Sequence, residues 1–182
     1  MTTKVFKLLV IDASIARSAG GEDATDLKSV YCRDFLEAVV DLCHRVVMTP
    51  DIRDEWNKHQ SKSARTWLRR MVAKKKLYAC ETVLDNELWS KVEDFTEFDH
   101  QREAMIKDIR LIEAALATDK IVISLDDKVR NLFSKAAEQV DELKDIVWVN
   151  PAKPEEKAIE WLEKGAEAEI ERKLGFRPEE NS

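Results

Sequence analysis

Short runs of branched apolar residues alternate along this chain with longer stretches of helical period, and an acid closes the two most apolar runs. VFKLLVI at 5–11 leads into Asp12, and IVISL at 121–125 into Asp126. Continuous apolar runs of this length read as strands buried on both faces, the condition of a mostly parallel sheet covered by helices. Residues 29–43 then read as a helix, with Val30, Phe35, Leu36, Val39, Val40 and Cys43 as its apolar stripe and Arg33, Asp34, Glu37 and Asp41 toward water. RVVMT at 45–49 is the next strand. Pro50 follows where its fixed φ and missing donor suit the first turn of a helix carrying Asp54, Glu55 and Trp56. Strand, helix, strand, helix predicts a three-layer α/β/α domain with right-handed crossovers.

The remaining segments extend that pattern. A helix over about 57–73 is expected to bury Trp67, Leu68, Met71 and Val72. In 82–98, Val83, Leu84, Leu88, Trp89, Val92 and Phe95 are compatible with one helix or two. Gln101 to Thr118 reads as a helix through Met105, Ile109, Leu111, Ile112, Ala115 and Leu116. A strand at 121–126, a helix at 127–140 and a strand at 146–149 follow. A final helix at 154–173 packs through Ile159, Leu162, Ala166 and Ile170, and FRPEENS frays. Residues 1–150 thus make the α/β domain and 151–182 a helical extension with a frayed tail.

Charge narrows the partners. The net charge of −6 argues against bulk coating of nucleic acid but leaves room for a local basic patch. Between Asn57 and Cys80 no acid occurs, while Lys58, Lys62, Arg65, Arg69, Arg70, Lys74, Lys75 and Lys76 do. Arg65, Arg69 and Arg70 are the candidate RNA backbone contacts, because a guanidinium grips phosphate through two donors; Arg130, one turn beyond Asp126, is a fourth. The alternative for all of them is ordinary helix solvation. No segment reaches the roughly 20 apolar residues of a membrane span, and the N-terminus lacks a signal core, so a soluble, cytoplasmic protein is expected. Cys32, Cys43 and Cys80 form no CxxC pair and read as reduced thiols. His44, His59 and His100 lack zinc-ligand spacing, and neither Gly20-Gly21 nor Gly165 supplies a phosphate-cradling loop. The five tryptophans read as core anchors.

Four acids remain: Asp12, Glu55, Asp108 and Asp126. Neighbouring parallel strands would deliver Asp12 and Asp126 to one crevice, where Mg²⁺ or Mn²⁺ could bind carboxylate oxygen, orient a phosphodiester and acidify water. Without a cation the carboxylates repel, so their pKa values should rise. Ser14 and Ser124 are candidates for positioning phosphate or a ligand, and Asp127 is a neighbouring acid. Helix capping is the competing use of Asp12, Asp126 and Asp127, and of the two hydroxyls. A haloacid-dehalogenase-like phosphatase would need a second acid at position 14, where Ser14 stands.

The motifs VIDASIA, TPDIRDEW, KDIRLIEAALAT and VISLDDKVRNLF, in this order, resemble the PIN-domain ribonucleases, among them the toxins of toxin–antitoxin pairs. The resemblance covers about 6–149 and assigns the four acids to Asp12, Glu55, Asp108 and Asp126. It implies an endoribonuclease that cuts single-stranded or locally unpaired RNA with Mg²⁺ or Mn²⁺. Its candidate partners are RNA, an antitoxin-like protein and a second copy of the chain. The chain departs from the compact toxin pattern in a longer middle, roughly 57–100, and in the extension after 150. A catalytically weak RNA-binding or protein-interaction module is the alternative.

Overall fold

The computed structural model describes residues 5–81, 84–96 and 98–179; the expectations for Val83 and for the tail at 180–182 lie outside the described residues. Five strands, β1 (Leu8–Ile11), β2 (Arg45–Met48), β3 (Leu77–Ala79), β4 (Ile121–Ile123) and β5 (Val147–Val149), form one sheet in the order β3-β2-β1-β4-β5. Every strand pairing in it is parallel. β1, β4 and β5 are the apolar runs of the sequence, and Leu9, Val10, Ile11, Val122, Ile123, Trp148 and Val149 are fully or almost fully buried. Burying one such aliphatic side chain contributes about 1.5–3 kcal/mol.

Helices α1 (Ala13–Ser18), α2 (Leu27–Asp41), α3 (Pro50–His59) and α4 (Lys62–Ala73) connect β1 to β2 and β2 to β3, moving outward in one direction. The chain then returns through α5 (Asn86–Phe95) and α6 (Asp99–Leu116) to β4 on the other side of β1, and through α7 (Asp127–Ala136) to β5. Right-handed crossovers put these two groups of helices on opposite faces of the sheet, giving the three-layer α/β/α domain. The direction of winding reverses between β1 and β4. Open parallel sheets bind ligands beyond the carboxyl ends of strands at such a reversal.

Several boundaries differ from the sequence reading, each for a local reason. β1 starts at Leu8, since Val5 and Phe6 are exposed and Phe6 lies under the Arg45 guanidinium instead of in the core. The helix expected across 57–73 is the end of α3 followed by α4. Ser61 breaks α4 from α3: its hydroxyl accepts from Ala64 N as an N-cap and donates to Ala19 O. Thr49 caps α3 in the same way, with Pro50 at its start. β3 was too short to show any period, and as an edge strand it leaves Tyr78 and Ala79 exposed. The helix begun at Gln101 starts two residues earlier, at Asp99.

The largest correction is the helix expected at 154–173. Only α8 (Ala158–Glu163) forms, flanked by single 3-10 turns, because Lys157, Gly165 and Ala166 all take positive φ. This path folds the segment back onto the domain. Ala158, Trp161, Leu162, Ala166 and Leu174 join the main core, Trp161 Nε1 donates to Glu167 O, and Lys173 bridges antiparallel to Val147. Arg177, placed in the expected frayed tail, donates to the backbone carbonyls of Ser134 and Leu174.

Candidate active site

At the carboxyl ends of β1 and β4 the sheet opens on a cavity of about 310 Å³. Asp12 enters it directly after β1, Asp126 from the turn after β4, Glu55 from α3 and Asp108 from α6. Asp12, Glu55, Asp108 and Asp126 all line this one cavity. Each arrives for a readable reason. Asp12 and Asp126 leave adjacent strands on the same edge, and α3 runs away from that edge because Pro50 starts it immediately after β2. Asp108 sits one residue before buried Ile109, at the margin of the buried stripe of α6.

A hydroxyl network fixes the two strand-end acids. Ser14 and Ser124 both donate to Asp12 Oδ2, at 2.6 and 2.9 Å. The Ser124 hydroxyl, completely buried, also accepts from Asp126 N at 3.1 Å, and Ser14 accepts from Leu125 N at 3.2 Å. One buried serine thus couples both acids. Asp12 stands at the N-cap position of α1 without making a side-chain cap bond, so capping does not account for it. Asp126 does cap α7, its Oδ1 accepting from Val129 N at 3.0 Å.

Electrostatics separate Asp108 from the rest. Its carboxyl is pushed up to about 7, first by burial, then by Asp12 and Asp126, with Glu55 adding a smaller push and Lys107 opposing. Burial disfavours the charged carboxylate, and the neighbouring like charges add to that effect. Glu55 is partly compensated, with Lys58 Nζ at 3.2 Å and His59 Nε2 at 3.6 Å.

The cavity contains residues the sequence reading did not single out. Asp51, Asp54 and His59 share with Glu55 the exposed side of α3, at helical spacings that could have revealed them. Lys107, Arg110 and Leu111 flank Asp108 on α6, and Arg17 comes from α1. Arg110 reaches Glu113 at 3.5 Å and Asp51 at 4.0 Å, and it lies over the Trp89 ring.

Other expected residues face elsewhere. Asp127 turns to Lys153 at 2.9 Å and to the Asn150 amide, away from the cavity. Arg130 is held by both carboxylate oxygens of Glu156, and Arg70 by both of Glu37. The Lys76 ammonium donates to the carbonyls of Val40 and Leu42 at the end of α2. Arg65 and Arg69 remain exposed in a second cleft, with Arg53. Cys32, Cys43 and Cys80 are free thiols, and burial pushes Cys32 up to about 12.

The carboxylates of Asp12, Glu55, Asp108 and Asp126 and the Ser14 hydroxyl offer oxygen donors that suit a hard divalent cation. The side chains are not drawn together as a finished shell: among the described residues no group of three or more His, Cys, Asp or Glu is arranged to hold a metal ion. No helix among the described residues is long and apolar enough to cross a membrane. No protein-family model, curated protein or solved structure matches the chain.

Proposed function

We propose that this chain is a PIN-like, metal-dependent endoribonuclease that hydrolyses phosphodiester bonds in single-stranded or locally unpaired RNA. One observation carries the reading: acids from two adjacent strands at the winding reversal share a cavity with Asp108, whose carboxyl is pushed up by burial first and then by the charges of Asp12 and Asp126. A cation relieves that repulsion, and Mg²⁺ or Mn²⁺ when bound supplies charge neutralisation at phosphate and an acidified water. Asp12, Asp108 and Asp126 are the residues to hold it, while Glu55 shares the ion or orients the water.

The chain's own groups prepare the site. Ser14 and Ser124 occupy Asp12 Oδ2, fixing the carboxylate so that Oδ1 serves the ion. Asp126 keeps Oδ2 in the same way, because its cap bond uses Oδ1. Arg17 and Lys107 bring positive charge to a cavity that would otherwise repel phosphate. Recessed among α1, α3 and α6, the site admits a flexible strand more readily than a rigid duplex.

The second reading is a catalytically weak RNA-binding or protein-interaction module of the same fold. The lack of a finished ligand shell among the described residues favours it. Cleavage assays on single-stranded RNA with and without Mg²⁺ or Mn²⁺ decide between the two. A nuclease yields metal-stimulated product that Asp12→Asn and Asp126→Asn remove while the circular dichroism spectrum stays unchanged. RNA retention with no product under any divalent cation establishes the module instead. An antitoxin-like protein covering the acidic cavity, or a second copy of the chain, would show in the mass of the complex purified from its source.

A further inference from the structure

α3 separates two cavities of opposite charge. Its residues 51, 55 and 58 face the acidic cavity, whereas 53, 57 and 60 face a cleft shared with α4. At 3.6 residues per turn these two stripes lie about 200° apart, on opposite sides of the helix. The cleft measures about 660 Å³ and has no acid in its wall among the described residues. Arg53 comes from α3, and Arg65 and Arg69 from one face of α4; all three are exposed, and none forms a salt bridge among the described residues. In a chain of net charge −6, three uncompensated guanidinium groups on one concave surface concentrate positive potential.

The two helices that wall the cleft are also tied together in the core. The buried rings of Trp56 of α3 and Trp67 of α4 stack with centroids 5.7 Å apart. Each indole is pinned, Trp56 Nε1 to Ile11 O at 2.9 Å and Trp67 Nε1 to Leu36 O at 2.6 Å. The arginines therefore project from helices whose separation is fixed by the core, so little ordering of the backbone opposes binding. Asn57 and Gln60 add amide groups, while Leu68 and Val72 supply apolar surface. No aromatic residue lines the cleft, which removes base stacking as its means of grip.

We propose that this α3–α4 cleft is a second, non-catalytic anion site that holds successive backbone phosphates of single-stranded RNA, one at each of Arg53, Arg65 and Arg69, at a distance from the bond being cut. The proposal rests on the acidic cavity being the place of cleavage. A helix with its side chains is about 10–12 Å across, so one strand crossing α3 from cavity to cleft must be an oligonucleotide. The cleft selects for length and for a flexible backbone, not for base identity. Substrates too short to cross α3 gain nothing from it. Arg70 and Arg130, already paired with Glu37 and Glu156, take no part.

The test uses the full chain carrying Asp12→Asn, so that RNA is not consumed, and a labelled single-stranded RNA of about 12 nucleotides. Anisotropy titrations from about 50 to 200 mM salt compare this protein with a version also carrying Arg53→Gln, Arg65→Gln and Arg69→Gln. Lys28→Gln, Lys135→Gln and Lys164→Gln, exposed positions outside both cavities, give a control of equal charge change. Each lost phosphate contact flattens the slope of log affinity against log salt by about 0.7, so the arginine set should flatten it by about 2 and weaken binding at low salt by tenfold or more. The lysine set should change the slope by less than about 0.7. Equal effects from both sets, no effect from the arginine set, or no RNA binding by the parent protein overturns the proposal. Matching thermal melts exclude unfolding as the cause. Cleavage by the wild-type acids is read separately on gels. Product without arginine-dependent affinity sinks the cleft alone, whereas arginine-dependent affinity without product sinks the nuclease reading and leaves the cleft as an RNA-binding site only.

Discussion

The two ends of the sheet are built on opposite terms. At the amino end, polar groups are paired one to one. Lys7 N donates to His44 Nδ1 at 3.1 Å, Leu8 N donates to Asp119 Oδ2 at 2.7 Å, and His44 Nε2 meets Leu162 O at 2.8 Å. Since Nδ1 accepts, the proton of the neutral ring sits on Nε2 and is donated to Leu162 O. At the carboxyl end, four acids line one cavity, where burial and then the charges of Asp12 and Asp126 push the Asp108 carboxyl up to about 7. The first arrangement contributes stability; the second costs it, which proteins retain where a site needs unsatisfied charge. The same sheet thus carries paired polar groups at one end and a cavity lined by acids at the other.

Asp12→Asn gives the largest expected departure from this division. It keeps the two serine hydrogen bonds but removes a charge, so metal-dependent cleavage should fall at least about 100-fold while stability holds or rises. Initial rates and urea midpoints on the same preparation measure both. An active Asp12→Asn protein ends the claim that the carboxyl end is the chemical one.

Next in size is His44→Ala. His44 is 1% exposed, and removing it strands Lys7 N and Leu162 O, at a cost of about 2–4 kcal/mol. Burial lowers the His44 pKa below 6.5, and Lys76 and Lys7 lower it further against the pull of the Leu162 carbonyl. A depressed folded-state value means that the unfolded chain takes up the proton first. The contribution is full above pH 6.5 and is lost as pH falls through 6.5 toward the folded value. Urea unfolding of wild type against the variant between about pH 5 and 7.5 should show a gap that narrows on the acid side. A gap of constant size contradicts the buried, neutral ring.

Asp108 gives the opposite slope. Its folded pKa, about 7, lies above its ordinary 3.8, so the folded state binds the extra proton. Its contribution is therefore full below pH 3.8 and is lost as pH rises to about 7. Asn imitates the protonated acid at all pH values. In metal-free buffer Asp108→Asn should match wild type near pH 4 and exceed it by about 1–2 kcal/mol above pH 7, after discounting for solvent screening. A divalent cation that binds wild type should close this gap from the other side. Equal stabilities above pH 7 would falsify the raised pKa of the Asp108 carboxyl.

The carboxyl end was the more legible one in the sequence, for a physical reason. Strand burial leaves unbroken apolar runs, and Asp12 and Asp126 mark where β1 and β4 stop. Glu55 and Asp108 could be found because Pro50 and the apolar face of α6 fix where their helices point. Side-chain pairing was not legible: nothing near Arg70 or Arg130 in sequence announces Glu37 or Glu156, 33 and 26 residues away. The C-terminal path also hid itself, since its helical period is real but positive φ at Lys157 and Ala166, set by packing against the core, interrupts it. Charge density alone similarly did not separate Arg65 and Arg69 from Lys76, which is used to close α2.

The smallest expected effect sharpens the comparison most cleanly. Asp119 belongs to the turn before β4 and accepts from Leu8 N at the start of β1, an exposed bond at the end remote from the acids. Water can replace an exposed acceptor, so Asp119→Ala should cost only about 0.5–1 kcal/mol. It should not alter cleavage or metal response, because the backbone ladder between β1 and β4 still fixes Asp12 against Ser124 and Asp126. The measurement pairs a urea midpoint with initial rates across a Mn²⁺ titration. A midpoint shift of the expected size with an unchanged rate curve places Asp119 wholly on the structural side. A shift in the metal dependence would mean that the register of β1 and β4 transmits strain from one end to the other, and the two edges of the sheet would then have to be treated as one coupled system.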